Sequence, residues 1–158
     1  MGVKNFVSEV KLKVSPSRIF KAMTTESNDV LPKVAPGVFK DTKVVEGSSY
    51  GPGCVVETTI VGGTNFKYKI DDIDVDKCLI KYTELGGERI GNTFEKVYHE
   101  VISEASGDGG TVIKFNSKYF AKGDAEPNDD DIKLHAEKSS AIYGAVSEYL
   151  IANPNICA

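Results

Sequence analysis

The sequence is poor in the residues that would mark it as secreted, membrane-bound or disulfide-stabilised. It has no tryptophan, and its three cysteines (Cys54, Cys78 and Cys157) are odd in number and form no CxxC pair. Free thiols in a reducing compartment are therefore expected. The N-terminal residues contain no apolar run long enough for a secretory signal, and no later stretch is apolar enough to span a membrane. We expect a cytoplasmic protein without a membrane partner.

Positive charge is also scarce. The 19 Lys and Arg residues are outnumbered by 23 Asp and Glu, which leaves a net charge of −4. A surface of this kind argues against nucleic acid as a partner. His99 and His135 are far apart in the sequence, and neither they nor the cysteines have a recognised metal-ligand spacing. We therefore expect no metal and no cofactor.

The order of the predicted elements indicates an α+β fold. Residues 6–14 alternate between apolar and polar side chains, which is typical of a strand with one buried face. Two short helices follow, and then residues 38–120 are mostly β-branched or alternating segments separated by glycine-rich and Asp-rich breaks. The chain closes with acidic residues 129–131 and a helical apolar pattern of about 25 residues. Helices packed on one face of an antiparallel sheet are the expected arrangement.

The glycine-rich segment at residues 46–53 resembles a phosphate-binding loop. Such loops end in Gly-Lys-Ser/Thr and lead into a helix. Here the loop leads into residues 54–61, a β-branched run that predicts a strand. Nucleotide hydrolysis is therefore not expected.

Several motifs, in this order along the whole chain, resemble the plant pathogenesis-related class-10 family, whose best-known member is the major birch-pollen allergen. They are FKA at residues 20–22, LPKVAP at 31–36, EGSSYGPG at 46–53, IGNTFEK at 90–96, SKYFAKGD at 117–124 and YLIANP at 149–154. The resemblance implies a single ligand-binding domain over residues 1–158. Its fold would be a seven-stranded, highly curved antiparallel sheet wrapped around a long C-terminal helix, with two short helices in a V and an internal hydrophobic cavity.

The resemblance also implies a function. We expect a monomeric defence- or stress-related protein that binds a small hydrophobic plant metabolite of the flavonoid, cytokinin, steroid or alkaloid type. In this family the glycine-rich loop is a turn between strands. Ser48, Ser49 and Tyr50 make the loop one residue longer than usual, and Tyr50 either leans over a cavity entrance or, as we expect, is an exposed aromatic without a role.

Strand alternation identifies one face of the sheet as a candidate ligand-binding surface. The candidate residues on this face are Val56, Ile60, Phe66, Tyr68, Ile80, Tyr82, Val97, His99, Val101, Phe115, Ser117 and Tyr119. The resemblance assigns the same face to the cavity and adds Met23, Asn28, His135, Ser139, Ile142 and Tyr143 from the helices.

A plain packed core is the alternative explanation of this face. Unpaired buried polar groups cost about 1–3 kcal/mol each. The number of tyrosine, histidine and glutamate side chains on the face therefore favours a cavity that holds water or a ligand.

Two catalytic alternatives stay open. An enzyme of plant specialised metabolism would use Glu84, His99 and Tyr82 as proton-transfer groups. A solvated position of Glu84 at the cavity rim is the alternative, and we expect binding rather than catalysis. Family members that catalyse such reactions carry an inward-facing lysine on a strand, whereas here only Lys138 approaches, from the last helix. Ribonuclease activity, reported for the family, ranks last because the glycine-rich loop has no Lys or Arg for phosphate.

Overall fold

A computed structural model describes residues 2–88, 90–91, 93–124 and 126–158. Within these ranges the elements are β1 (Val3–Leu12), α1 (Pro16–Met23), α2 (Ser27–Val34), β2 (Phe39–Glu46), β3 (Val55–Ile60), β4 (Phe66–Asp74), β5 (Leu79–Gly86), β6 (Phe94–Ala105), β7 (Thr111–Ala121) and α3 (Asp129–Ala152). This is the predicted order of strands and helices, and the α+β fold is confirmed.

The strands form one antiparallel sheet of seven strands in the order β1-β7-β6-β5-β4-β3-β2. The register shifts where β2 pairs with β3, where β4 pairs with β5, and at the start of the β6–β7 pair. Such bulges bend a strand and increase its twist. The sheet is therefore curved, and its concave face turns toward the helices.

The predicted alternation holds along the central strands. In β7 the buried residues Ile113, Phe115, Ser117 and Tyr119 alternate with exposed ones. Because side chains of a strand point alternately to opposite faces, one face of the sheet is solvated and the other packs inward.

Each of the two short helices has one feature that is unusual for its sequence. Ser15 occupies the N-cap position of α1, but its side chain makes no capping hydrogen bond. Pro32 lies inside α2, although a proline usually ends a helix. Because proline removes one backbone donor, it costs a helix of this length one internal hydrogen bond. Ile19 and Val30 are almost completely buried and hold the two helices against the core.

The C-terminal helix is fixed at both of its ends. The side chain of Asn128 accepts hydrogen bonds from the backbone N–H groups of Asp130 and Asp131, which caps the N-terminus. At the other end the guanidinium group of Arg18, in α1, donates to backbone carbonyls at the end of α3 and just beyond it. With 24 residues, α3 has close to the predicted length.

The three cysteines are buried and free. None of the helices in the described ranges combines the length and the apolar composition needed to cross a bilayer.

Candidate functional site

A pocket of about 580 Å³ lies between the concave face of the sheet and the helices. Its wall consists of Met23, Thr24, Ser27, Leu31, Val38, Phe39, Tyr50, Thr58, Ile60, Gly62, Gly63, Thr64, Phe66, Tyr68, Ile80, Tyr82, Glu84, Gly87, Glu88, Ile90, His99, His135, Lys138, Ser139, Ile142 and Tyr143. Val38, Gly62 and Thr64 are exposed, so the pocket reaches the surface between the β3–β4 turn and the start of β2.

A row of aromatic rings runs along one side of the pocket. The ring centroids of Phe66 and Tyr68 are 5.5 Å apart, those of Tyr68 and Tyr82 are 5.2 Å apart, and those of Tyr82 and His99 are 4.8 Å apart. Strand register explains the row, because Tyr82 on β5 is directly opposite His99 on β6. Tilted rings at these distances pack favourably and give a rigid apolar wall.

The row ends in a buried polar cluster. His99 Nε2 is 2.6 Å from one carboxylate oxygen of Glu84, and His135 Nε2 is 3.1 Å from Glu84 as well. The other ring nitrogen of each histidine meets a hydroxyl group. His99 Nδ1 is 2.6 Å from the hydroxyl of Ser117, and His135 Nδ1 is 3.0 Å from that of Tyr119.

The cluster controls the charge of Glu84, which is 3% exposed and therefore not solvated at a rim. Burial alone would raise the pKa of this carboxyl group. Attraction to His99 and hydrogen bonds with both His135 and His99 outweigh burial and lower the pKa to about 2. Glu84 is consequently a carboxylate at neutral pH.

Two phenol hydroxyls beside the cluster lack a hydrogen-bond partner among the described residues. Within the described ranges the hydroxyls of Tyr82 and Tyr143 make no hydrogen bond, although both side chains line the pocket. Burial raises the pKa of each well above its usual range, and the neighbouring phenol groups add to the shift. Both hydroxyls therefore stay protonated and can donate to an oxygen or nitrogen atom in the pocket.

Tyr50 differs from its sequence-based expectation as an exposed aromatic. It lines the pocket, packs against the core, and its hydroxyl is 2.9 Å from that of Tyr68. This partly buried hydrogen bond gives the glycine-rich loop a contact with the sheet. The lengthened loop thereby supplies part of the pocket wall.

Lys138 lies at the mouth of the pocket, where its amine forms a salt bridge instead of pointing inward. Lys138 Nζ is 2.8 Å from a carboxylate oxygen of Glu88, and both side chains are more than half exposed. Surface pairs of this kind contribute little to stability. Lys138 approaches from α3 as expected, but its ammonium group is engaged at the entrance.

The structure brings together most of the residues predicted to bind ligand. Those that line the pocket are Met23, Ile60, Phe66, Tyr68, Ile80, Tyr82, His99, His135, Ser139, Ile142 and Tyr143.

Others have inward-facing side chains but lie outside the pocket. Phe115, Ser117 and Tyr119 border a separate void of about 10 Å³, which barely accommodates one water molecule. Val56 and Val101 belong to the main core, and Val97 packs with a smaller cluster under the N-terminal half of α3.

Asn28 does not reach the pocket at all. It is exposed on α2, whereas its neighbour Ser27 is buried and lines the pocket. At this point of α2 the pocket is therefore lined by Ser27 and not by the predicted Asn28.

Sequence reasoning missed the grouping of Glu84, His99 and His135 as possible metal ligands. Their candidate ligand atoms all lie within 4.8 Å of one another. Because β5, β6 and α3 each supply one residue, no short spacing in the sequence indicates the group. The sequence did, however, indicate that all three side chains face inward.

The chain is similar to members of one protein family. The model of the family described as "Pathogenesis-related protein Bet v 1 family" matches residues 1–153. The major strawberry allergen Fra a 1.04 of Fragaria ananassa is 36% identical over 158 residues, with 98% of each chain covered. The major pollen allergen Bet v 1-C of Betula pendula is 35% identical over 156 residues, with 97% of each chain covered.

Solved structures show the same architecture. The crystal structure of Ara h 8.0201 superposes with a TM-score of 0.84 at 33% identity, covering 96% of this chain and 99% of that chain. Norcoclaurine synthase from Thalictrum flavum, in complex with dopamine and hydroxybenzaldehyde, superposes with a TM-score of 0.69 at 19% identity, covering 95% and 87%. At that identity the second likeness concerns the fold alone.

Proposed function

Since the chain belongs to the pathogenesis-related Bet v 1 family, we propose that it binds a hydrophobic or amphiphilic small molecule in the pocket between the sheet and α3. Family membership supports a ligand-binding protein of the defence type in general terms. The observation that carries the proposal for this chain is the pocket of about 580 Å³. That volume lies within the range of about 300–1,000 Å³ typical of small-molecule sites.

The lining favours a ligand with a flat ring system and polar groups at its ends. The rings of Phe66, Tyr68 and Tyr82 offer a continuous aromatic surface. Burying apolar ligand surface against it is worth about 25 cal/mol per Å². The unpartnered hydroxyls of Tyr82 and Tyr143 would orient the polar groups. Flavonoid, cytokinin, steroid and alkaloid-type metabolites combine these features.

The proposed contact residues are the predicted ones that line the pocket, together with Tyr50. The inward-facing residues outside it, such as Val97 and Phe115, would support the wall without touching the ligand. The protein would act as a monomer in the cytoplasm, where its free cysteines would remain reduced.

The proposal is tested by filling the pocket from α3. Ser139 lines the pocket, so Ser139→Phe places a ring in the space that the ligand needs. Ala141→Phe puts the same ring on the exposed side of the same helix and serves as the control.

Binding is measured by fluorescence titration with anilinonaphthalene sulfonate and by its displacement with one flavonoid, one cytokinin, one steroid and one alkaloid. Ser139→Phe should weaken probe binding about tenfold or more, which corresponds to about 1.4 kcal/mol. Equal binding by both variants, or no displacement by any of the four compounds, would contradict the proposal.

Acid–base catalysis on a bound metabolite is a second candidate, and one specific observation favours it. The Glu84–His99 pair lines the pocket beside the ring of Tyr82, within reach of a bound molecule. Amine–aldehyde and enone substrates would be incubated with the protein and the products analysed. Under this alternative Glu84→Gln and His99→Ala abolish turnover, whereas under the binding proposal they change affinity alone.

A further inference from the structure

The polar cluster at the end of the aromatic row has the composition of a metal site. Glu84, His99 and His135 offer one carboxylate and two imidazoles, and their candidate ligand atoms lie within 4.8 Å of one another. The side chains of Glu84 and His99 are 4% and 5% exposed, and that of His135 is 16% exposed. We propose that these residues bind one divalent transition-metal ion of the zinc class, with a further coordination position open to the pocket.

The distances allow such an ion after a small rearrangement. Zinc bonds to nitrogen and carboxylate oxygen are about 2.0–2.2 Å long, so two ligands in a tetrahedral arrangement are about 3.3 Å apart. His99 Nε2 is now 2.6 Å from Glu84, and His135 Nε2 is 3.1 Å from it. Small side-chain rotations would admit the ion if they open these two distances and bring all three ligand atoms, now within 4.8 Å of one another, to that separation.

The histidine rings are already held in an orientation that suits a metal. They are stacked nearly parallel, with an interplanar angle of 4° and centroids 5.7 Å apart. Each turns Nε2 toward Glu84 and Nδ1 toward a hydroxyl, of Ser117 for His99 and of Tyr119 for His135. A hydrogen bond at the second ring nitrogen is the usual support of a metal-bound histidine.

The same hydroxyls permit the required change of tautomer. When each imidazole carries its proton on Nε2, that Nε2–H donates to Glu84 and each hydroxyl donates to Nδ1. A metal needs a free electron pair on Nε2, so the proton must reside on Nδ1. Ser117 and Tyr119 can then accept from Nδ1–H, because a hydroxyl group both donates and accepts. No histidine nitrogen loses its partner in the exchange.

Charge also favours a cation at this position. Glu84 is a buried carboxylate, and a metal bound through Nε2 of both histidines requires both imidazoles to be neutral. Among the described residues, the ion pairs of Glu84 are those with the two histidines. Burying a carboxylate is costly unless it is paired or coordinates a metal. A divalent ion would supply the compensating charge directly.

The ligand set indicates which ions are suitable. Imidazole nitrogen suits zinc, cobalt, nickel and copper, whereas calcium and magnesium prefer sites built from oxygen alone. Three protein ligands leave at least one position for water or a ligand oxygen, because Glu84, His99 and His135 all line the pocket. The site would therefore sit where an amphiphilic ligand places a polar group.

The experiment uses the full chain, freed of metal with a chelator and titrated with Co²⁺ and then Zn²⁺. Calorimetry should report one ion per chain, and Co²⁺ should give the visible absorption of a four- or five-coordinate nitrogen–oxygen site, which Zn²⁺ then removes. Glu84→Gln and His135→Gln should each weaken binding about tenfold or more. Glu100→Gln is the matched control, since it removes a carboxylate next to His99 from the opposite face of β6.

Several results would overturn the proposal. They are the absence of a stoichiometric ion, equal affinity in the two cluster variants and wild type, Ca²⁺ binding as tight as Zn²⁺ binding, or a strong sulfur-to-cobalt charge-transfer band, which would place the ion on a cysteine. If Glu84→Gln fails to fold, His135→Gln decides the matter, because its side chain is the most accessible of the cluster. Ligand binding is measured with chelator present, so failure here leaves the proposed ligand-binding function untouched.

Discussion

Replacing Arg18 by methionine should loosen the C-terminal end of α3. The guanidinium group of Arg18 reaches from α1 to carbonyl oxygens of Leu150 at 2.9 Å, Asn153 at 3.0 Å and Ile156 at 2.7 Å. The carbonyls of Leu150 and Asn153 lie at the negative end of the helix dipole, where a cation is favourable. Arg18→Met keeps much of the apolar stem of the side chain but removes the charge and every one of these hydrogen bonds.

The magnitude follows from the contacts. A hydrogen bond to a charged group contributes about 1.5–3 kcal/mol. The contributions do not add fully, because one nitrogen serves several carbonyls and water can solvate the Asn153 carbonyl after the change. A loss of about 2–4 kcal/mol in the free energy of unfolding is therefore expected. For a chain of 158 residues this corresponds to a fall in Tm of about 5–15 °C.

Urea unfolding and thermal unfolding of the two proteins measure the effect. Arg18→Lys retains the charge without the planar fork and should recover less than half of the loss. Lys33→Met removes a cation from the last turn of α2, where the side chain is exposed, and should change the free energy of unfolding by less than about 0.5 kcal/mol. A loss below about 1 kcal/mol in Arg18→Met, or equal effects of Arg18→Met and Lys33→Met, would refute the reasoning.

Two other predictions concern the pocket. Because the folded-state pKa of Glu84 is lowered to about 2, its contribution to stability should be complete above its ordinary pKa of 4.5 and should disappear as the pH falls through about 2. In urea unfolding with chelator present, Glu84→Gln should therefore cost more at pH 6 than at pH 3, and a cost independent of pH would contradict the assignment. Tyr50→Phe removes the hydrogen bond to Tyr68 and should destabilise the protein by about 1 kcal/mol in the same assay. Tyr98→Phe, which removes a hydroxyl from the outer face of β6, should have less effect, and an equal effect would show that the Tyr50–Tyr68 bond contributes nothing.

Strand alternation predicted the inward face of the sheet well, but it did not separate the pocket wall from the packed core. Val97, His99 and Val101 share one face of β6, as expected, and all are buried. His99 lines the pocket, whereas Val97 and Val101 pack in apolar clusters. The difference depends on where α3 and the short helices cover the sheet. That position is set by packing between distant parts of the chain, which a period of two residues does not record.

The glycine-rich loop is a second case in which the sequence pattern did not predict the position of a side chain. Residues 46–53 are polar and rich in glycine, and these features predict a turn but not the direction of one aromatic ring. Tyr50 turns inward because a hydroxyl partner, Tyr68, lies within reach on β4. The partner is 18 positions away in the sequence. Its proximity follows from the pairing of β3 with β4, which returns the chain to the loop.

Most of the polar cluster could have been predicted from the sequence. Tyr82 and Glu84 are two residues apart on β5 and must therefore share a face, and His99 lies opposite Tyr82 on β6. Register alone thus brings Glu84 and His99 into diagonal contact, at a distance that long polar side chains can bridge. His135 was expected to face inward from α3, but nothing in the sequence indicated that it lies beside Glu84. A spacing rule for metal ligands assumes that neighbouring ligands come from one local segment. Here the curved sheet and α3 supply the proposed ligands separately, so the proposed site arises from the tertiary fold and not from a motif.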